Sequence, residues 1–192
     1  MSGVRQPFEL AVATSPEWAS RALADPAALL LDLAHCEKKA AGAVLAFLFR
    51  DPGAEAAAIL SRLAREELTH FEWCLRELSA RGLAFERQIP TEYAAKLANA
   101  CRRGPDALLD NYLVAAIIEA RSGERLALLR DTTEDRALHA LFSALHPPEE
   151  RHVEVLFGLA EAVGAQRTRL AELLAIEAGS VTGGARVIRV HG

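Results

Sequence analysis

The sequence predicts an all-α protein organised as a four-helix bundle with extra short helices, and three observations predict it. Alanine and leucine dominate, and aromatic residues make up only 6% of the chain. Runs of Val, Ile and Thr with period-two alternation are nearly absent before residue 180, so strands are not expected. Proline and glycine divide the rest into four long segments and several short ones, with two tight turns and one long connection. At 192 residues the chain is expected to form a single domain, 1–192, with a bundle core over about 26–163 and a C-terminal helix and tail over 166–192.

The elements follow in order. Ser15-Pro16 forms an N-cap and N1 pair that opens a short helix, and Asp25-Pro26 repeats the signal for the first long helix, roughly 26–50. Asp51-Pro52-Gly53 ends that helix. The second runs from about 54 to Arg81, with Gly82 as its C′ residue. A polar connection, GLAFERQIPTEY, leads to a minor helix over about 91–102, and Gly104-Pro105 opens the third long helix, roughly 106–130. After Asp131-Thr132-Thr133 a fourth starts near Glu134, meets Pro147-Pro148 and resumes to about Val163. A last helix covers about 166–177, before a Gly-rich tail, VTGGARVIRVHG, that is packed or frayed. Two tight turns flanking one long crossover describe a ferritin-like bundle; an α-solenoid or a regulatory bundle are the alternatives.

Composition excludes several classes. MSGVRQPFELAVATSPEW mixes polar, charged and proline residues too closely for a signal peptide. The longest apolar runs, in LLLDLAH and LLDNYLVAAIIEA, are broken by Asp, His or Asn, so no membrane span and a cytoplasmic location are expected. Cys36, Cys74 and Cys101 are odd in number and lack any C-x-x-C, which argues against a disulfide framework or a thiolate zinc site and for small buried apolar residues. A formal charge of −4 argues weakly against a nucleic-acid partner.

The repeats point to the chemistry. Glu-x-x-His occurs twice, as Glu67-Leu68-Thr69-His70 and as Glu149-Glu150-Arg151-His152. At i and i+3 the two side chains share one helix face, as two ligands to one metal pair must. A lone copy is usually a solvated helix face. Here, however, the two copies are offset by 82 residues, and the same offset relates Glu37 to Glu119, each a mid-helix glutamate among apolar neighbours. Each half therefore reads Glu, thirty residues, then Glu-x-x-His. Glu37 lies 13 residues before Arg50, and Glu67 lies 13 residues after Ala54. At ~1.5 Å per residue both legs are about 20 Å, so the two glutamates reach one height on antiparallel neighbours. Four carboxylates and two imidazoles thus converge on one layer, the ligand pattern of carboxylate-bridged di-iron bundles. Unpaired, those carboxylates would cost several kcal/mol each or shift their pKa values upward. Two divalent cations neutralise them, and the loaded protein then no longer disfavours a nucleic-acid partner.

Neighbouring residues refine the site. Ala115, Ala116, Ser122 and Gly123 around Glu119, and Leu33, Ala34, Ala40 and Ala41 around Glu37, are mostly small and leave space for oxygen and a substrate. Tyr112 shares the face of Glu119, as a core residue or a neighbour of the metals, and Arg125 is a candidate partner for Glu119. His35, His139 and His146 have no mate at the 82-residue offset and are excluded as ligands, although His146 can approach the site.

At these residues a resemblance emerges. LLLDLAHCEKKAAGAVLAFLFR, LSRLAREELTHFEWCLRELSARG, LLDNYLVAAIIEARSGERLALL and EERHVEVL resemble the MiaE-type tRNA hydroxylases, ferritin-like non-haem di-iron monooxygenases, over about residues 26–163. The resemblance implies hydroxylation of the isopentenyl side chain of a hypermodified adenosine next to the tRNA anticodon. It further implies two Fe ions, O2 as co-substrate and an electron-donating reductase, with Glu37, Glu67, His70, Glu119, Glu149 and His152 as iron ligands. Lys38, Lys39, Arg62, Arg65, Arg102 and Arg103 are the candidate tRNA contacts. A ferritin-like enzyme acting on a small molecule, and a non-enzymatic iron-binding or oxidant-scavenging protein, are the alternatives. Pro147-Pro148 depart from the family pattern, in which the fourth helix runs unbroken into its Glu-x-x-His. Each proline removes an i to i−4 bond, from the carbonyls of Ser143 and Ala144, and costs ~3 kcal/mol inside a helix. A kink or restart at 146–148 is expected, with Pro148 at N1 and Glu149 in a first turn.

Overall fold

The computed structural model describes residues 6–50, 53–89, 91–182 and 189–191. Seven α-helices occur among them: α1 (Pro16–Leu23), α2 (Pro26–Leu48), α3 (Ala54–Ala80), α4 (Glu92–Ala100), α5 (Ala107–Thr132), α6 (Arg136–Ala162) and α7 (Arg167–Thr182). α2 packs along α3 and α5 along α6, and the two pairs meet chiefly through α3 and α6. This is the four-helix bundle expected, with α1, α4 and α7 as the extra short helices. No strand occurs among the described residues.

Local signals act where the sequence placed them. Asp25 caps α2 by accepting from the Ala28 amide at 3.0 Å. Gly82 takes φ 67°, and the pair Leu83 N–H to Leu78 O (2.9 Å) and Gly82 N–H to Ser79 O (3.0 Å) closes α3 in a Schellman motif. Asp51 and Pro52, expected to form the first tight turn, lie outside the described residues. Three boundaries differ. Asp135 rather than Glu134 begins the fourth long helix, because its carboxylate accepts from the Ala137 and Leu138 amides. α5 is entered through a 3-10 turn, Gly104–Asp106, and α7 continues to Thr182. In the tail, Val190 and His191 are buried, and the Val190 amide donates to Asp32 at 2.6 Å, so these residues are packed.

Of the kink or restart expected at 146–148, the restart does not occur. α6 is a continuous helix with Pro147 and Pro148 inside it, and Glu149 sits in mid-helix rather than in a first turn. Tertiary packing overrides local propensity: Leu138, Leu141, Phe142 and Leu145 before the prolines are buried, as are Val153, Leu156 and Phe157 after them. Ala144 and Pro147 are exposed and Ser143 is half-buried, so this stretch lies toward the helix's solvent side.

The core has two apolar clusters. One gathers Phe47, Leu60, Leu63, Tyr112, Ile117 and Leu156; the other gathers Leu30, Leu33, Cys74, Leu78, Leu126 and Phe142. Along each long helix the charged site residues fall between the two, as Glu67 and His70 fall between Leu63 and Cys74. Burial of both clusters, at roughly 25 cal/mol per Å² of apolar surface, holds a polar layer in the middle of the bundle. The three cysteines are free, with Cys74 buried and Cys36 and Cys101 half-buried. No helix among the described residues is long and apolar enough to cross a membrane.

Candidate metal centre

All six residues singled out by the 82-residue repeat meet in that layer. Glu37 comes from α2, Glu67 and His70 from α3, Glu119 from α5, and Glu149 and His152 from α6, and each is buried. Ligand atoms of Glu37, Glu67, His70 and Glu149 lie within 4.8 Å of one another, and so do those of Glu67, Glu119 and His152. Glu67 belongs to both groups. Glu149 belongs to the first and also interacts with Glu119, so two carboxylates lie between two Glu/His ends.

The distances suit a site organised around cations. His70 Nδ1 stands 3.6 Å from Glu37, 3.8 Å from Glu67 and 3.9 Å from Glu149. His152 Nδ1 is 2.8 Å from Glu67 but is not aligned for a hydrogen bond. Both Nδ1 atoms, both oxygens of Glu67 and both oxygens of Glu149 are buried without a hydrogen-bond partner. Such orphans cost roughly 1–3 kcal/mol each, more when charged. Oxygen and imidazole nitrogen donors converging on two centres, with four carboxylates to balance two divalent charges, fit a pair of first-row divalent metals.

Electrostatics carries the same strain. Burial pushes the Glu37 carboxyl up to about 7. Burial and the neighbouring Glu67 also raise Glu119, and burial and Glu119 raise Glu149 well above the carboxylate range. Burial would raise Glu67 too, but the imidazoles of His152 and His70 outweigh it and hold this carboxyl at about 2. Burial opposes the charge on His70, yet Glu37 and Glu67 bring it up to about 9.

One functional residue escaped the sequence reading. Glu66 accepts from His152 Nε2 at 3.1 Å, on the side of the ring away from the cluster, and meets Arg151 at 3.4 Å. The hydrogen bond leaves Nδ1 as the atom facing the cluster. At the 82-residue offset Glu66 maps onto Pro148, so the repeat could not find it; its adjacency to Glu67 on an outward position was the available signal. Glu66→Ala is expected to weaken metal binding roughly 10–100-fold, read by competitive metal titration.

Other expectations fare differently. Tyr112 is fully buried in the apolar core, edge-on to Phe47 with ring centroids 5.0 Å apart. Arg125 does not serve Glu119: it bonds Thr14 Oγ1 and the Val190 carbonyl and lies 4.7 Å over the Trp18 ring, because six residues on, the helix has turned it to another face. His146 does approach, lining with Glu119 a cavity of about 350 Å³ between α5, α6 and the segment before α1. Gly123 lines it too, and a Cβ added there would meet that of Glu149 at 3.4 Å, ordinary van der Waals contact. Lys38, Lys39, Arg62, Arg65 and Arg103 are exposed on α2, α3 and the α4–α5 turn. Lys38 also bonds His35 at 3.0 Å. Arg102 is committed elsewhere, pairing with buried Asp110 at 2.7 Å and with Asp106 at 2.9 Å, which takes up its charge.

Known proteins resemble the chain in these features. The family described as "tRNA-(MS[2]IO[6]A)-hydroxylase (MiaE)" matches residues 4–192. A Pseudomonas putida protein named tRNA 2-(methylsulfanyl)-N(6)-isopentenyladenosine(37) hydroxylase is 37% identical over 153 residues, which cover 79% of this chain and 74% of that one. A Salmonella typhimurium protein of the same name is 35% identical over 106 residues, 54% of this chain and 38% of its own. Among solved structures, "Protein 43 with aldehyde deformylating oxygenase activity from Synechococcus" superposes with a TM-score of 0.90 at 40% identity, covering 98% of this chain and 96% of that one. With the family match spanning nearly the whole length, the reading as a non-enzymatic iron-binding protein falls away, and the chain belongs to the MiaE family of tRNA hydroxylases.

Proposed function

We propose that the protein hydroxylates the isopentenyl side chain of a hypermodified adenosine next to the tRNA anticodon, at a di-iron site, using O2 and two electrons from a reductase. The observation that carries this reading is the buried six-residue cluster opening through Glu119 onto a cavity of about 350 Å³. In the balanced reaction one oxygen atom enters a C–H bond, and the other leaves as water with two electrons and two protons. Two iron ions, held by Glu37, Glu67, His70, Glu119, Glu149 and His152, would supply the redox and Lewis-acid chemistry. The chain's own residues do the rest. Glu67 and Glu149 stand between the two ends of the cluster, and Glu66 orients His152. The two apolar clusters on either side of the layer exclude water, which strengthens every charge interaction within it. A tRNA substrate places the enzyme in the cytoplasm.

A second reading, a small-molecule oxygenase of the same fold, is favoured by the aldehyde-deformylating activity named for the Synechococcus structure. Nucleoside analysis of tRNA from cells with and without the protein separates the two. The hydroxylated nucleoside is expected only where the protein is present; an unchanged nucleoside profile alongside metabolite-dependent oxygen consumption would favour the small molecule.

A further inference from the structure

We propose that the segment Gln6–Thr14 forms a fixed wall of the pocket that takes the substrate's branched apolar chain, with Phe8, Leu10 and Val12 selecting its size. The inference rests on the isopentenyladenosine reading above and assigns the side chain's pocket within it. α5 lines the cavity with Glu119, Ala120 and Gly123, α6 with His146 and Val153, and the remaining side is the irregular segment before α1. Its volume falls within the roughly 300–1,000 Å³ of small-molecule sites. Apolar side chains from the segment face the α5–α6 seam, and the one cluster carboxylate on the cavity wall is Glu119, so an apolar chain entering here ends beside the metal ligands. At the lining, His146 and Glu150 offer acceptors suited to the N6–H of a substituted adenine.

The segment has no helix or strand to hold it, and buried polar bonds do so instead. Thr14 donates to Glu124 from its amide at 2.8 Å and from its hydroxyl at 2.6 Å. Arg121, fully buried, donates to the Val12 carbonyl at 2.9 Å and to Thr14 Oγ1 at 2.9 Å. The guanidinium is itself held by Glu177 at 2.8 and 3.0 Å, and Tyr93 donates to the same carboxylate at 2.9 Å. Phe8 rests against Phe157 with ring centroids 5.8 Å apart. Charge-assisted bonds of this kind to a buried arginine fix a backbone far more firmly than solvent-exposed ones. Phe8, Leu10 and Val12 are only partly buried; Phe8 and Leu10 pack against the first core cluster, whereas Val12 belongs to neither.

The test uses the full-length, metal-loaded protein with two probes: the free nucleoside N6-isopentenyladenosine, for calorimetric binding, and an anticodon stem-loop RNA carrying its 2-methylsulfanyl form, for turnover. Leu10→Trp and Val12→Phe are expected to weaken nucleoside binding and to raise the KM for the stem-loop by roughly 10–100-fold, the range one or two misplaced methylenes produce in an apolar pocket. Metal content should not change. Leu10→Ala is expected to admit a longer N6-geranyl chain that the parent protein rejects, a gain that misfolding cannot mimic. Folded, metal-loaded filling variants with the parent's nucleoside affinity and KM would overturn the wall. Turnover by the parent with unaltered variants sinks the wall alone, whereas no binding and no turnover by the parent sinks both the wall and the reading beneath it.

Discussion

Chelating the metal from the loaded protein is expected to lower its melting temperature by roughly 10 °C near neutral pH, and the deficit is expected to widen as pH rises. A ligand present at a thousandfold excess over its Kd stabilises by about 4 kcal/mol, and for a chain of this size each kcal/mol is worth about 2–4 °C. The pH dependence follows from the cluster. Stripped of metal, Glu37 titrates near 7 because it is buried, so the folded chain keeps a proton that the unfolded chain has already released. Stability is therefore lost as pH rises from the ordinary carboxylate range through about 7. His70, raised to about 9 by Glu37 and Glu67 against the effect of burial, contributes stability below its ordinary pKa that is lost as pH rises through about 9. Glu67, held at about 2, works in the opposite sense, but it changes only below the ordinary carboxylate range. Metal binding, which needs deprotonated ligands, strengthens over the interval in which the stripped protein weakens. Calorimetry of loaded and chelated protein at mildly acidic, neutral and mildly alkaline pH checks this; equal melting temperatures, or a gap that closes with rising pH, would remove the shared buried site.

Replacing Glu67 should do more damage than replacing Glu119. Glu67 offers a ligand atom to both groups, whereas Glu119 belongs to one. Glu67→Gln is expected to leave less than one metal ion per chain and to reduce turnover ~10³-fold or more, the loss of several kcal/mol of metal-borne stabilisation. Glu119→Gln is expected to retain the ion between Glu37 and His70 and to lose the second, again with turnover lost. Metal analysis on gel-filtered protein with an intact helical circular-dichroism spectrum is the measurement. Similar metal content in the two variants would mean that Glu67 does not stand between two sites.

The six-residue cluster was legible because ligand geometry imposes its own arithmetic. Two side chains on one helix face come at i and i+3, two helices meeting at one height give equal legs on either side of a turn, and the 82-residue repeat carried all of this into the second half. Where no such rule applied, the reading failed or stayed silent. Arg125 reads as a partner for Glu119 because periodicity does not tell which flank of α5 looks inward: the helix is buried on almost every side, with Leu113, Ala116, Glu119, Arg121, Gly123 and Arg125 all buried. The pairing of Arg102 with Asp110 was not legible, because nothing in the neighbouring sequence announces that Asp110 is buried against it. Glu66 was hidden because its repeat mate is Pro148.

By itself, then, the sequence determined the helices, their order and the six residues of the central layer, because helix signals and ligand spacings are local or periodic properties of the chain. Only the tertiary structure decided that Pro147 and Pro148 ride inside an unbroken helix, since burial of both halves of α6 outweighs two lost backbone bonds. Packing likewise decided that Gln6–Thr14, which has no periodicity to read, closes a cavity beside Glu119. Bonds between residues more than a hundred positions apart hold it there, and such bonds exist only once the bundle has formed.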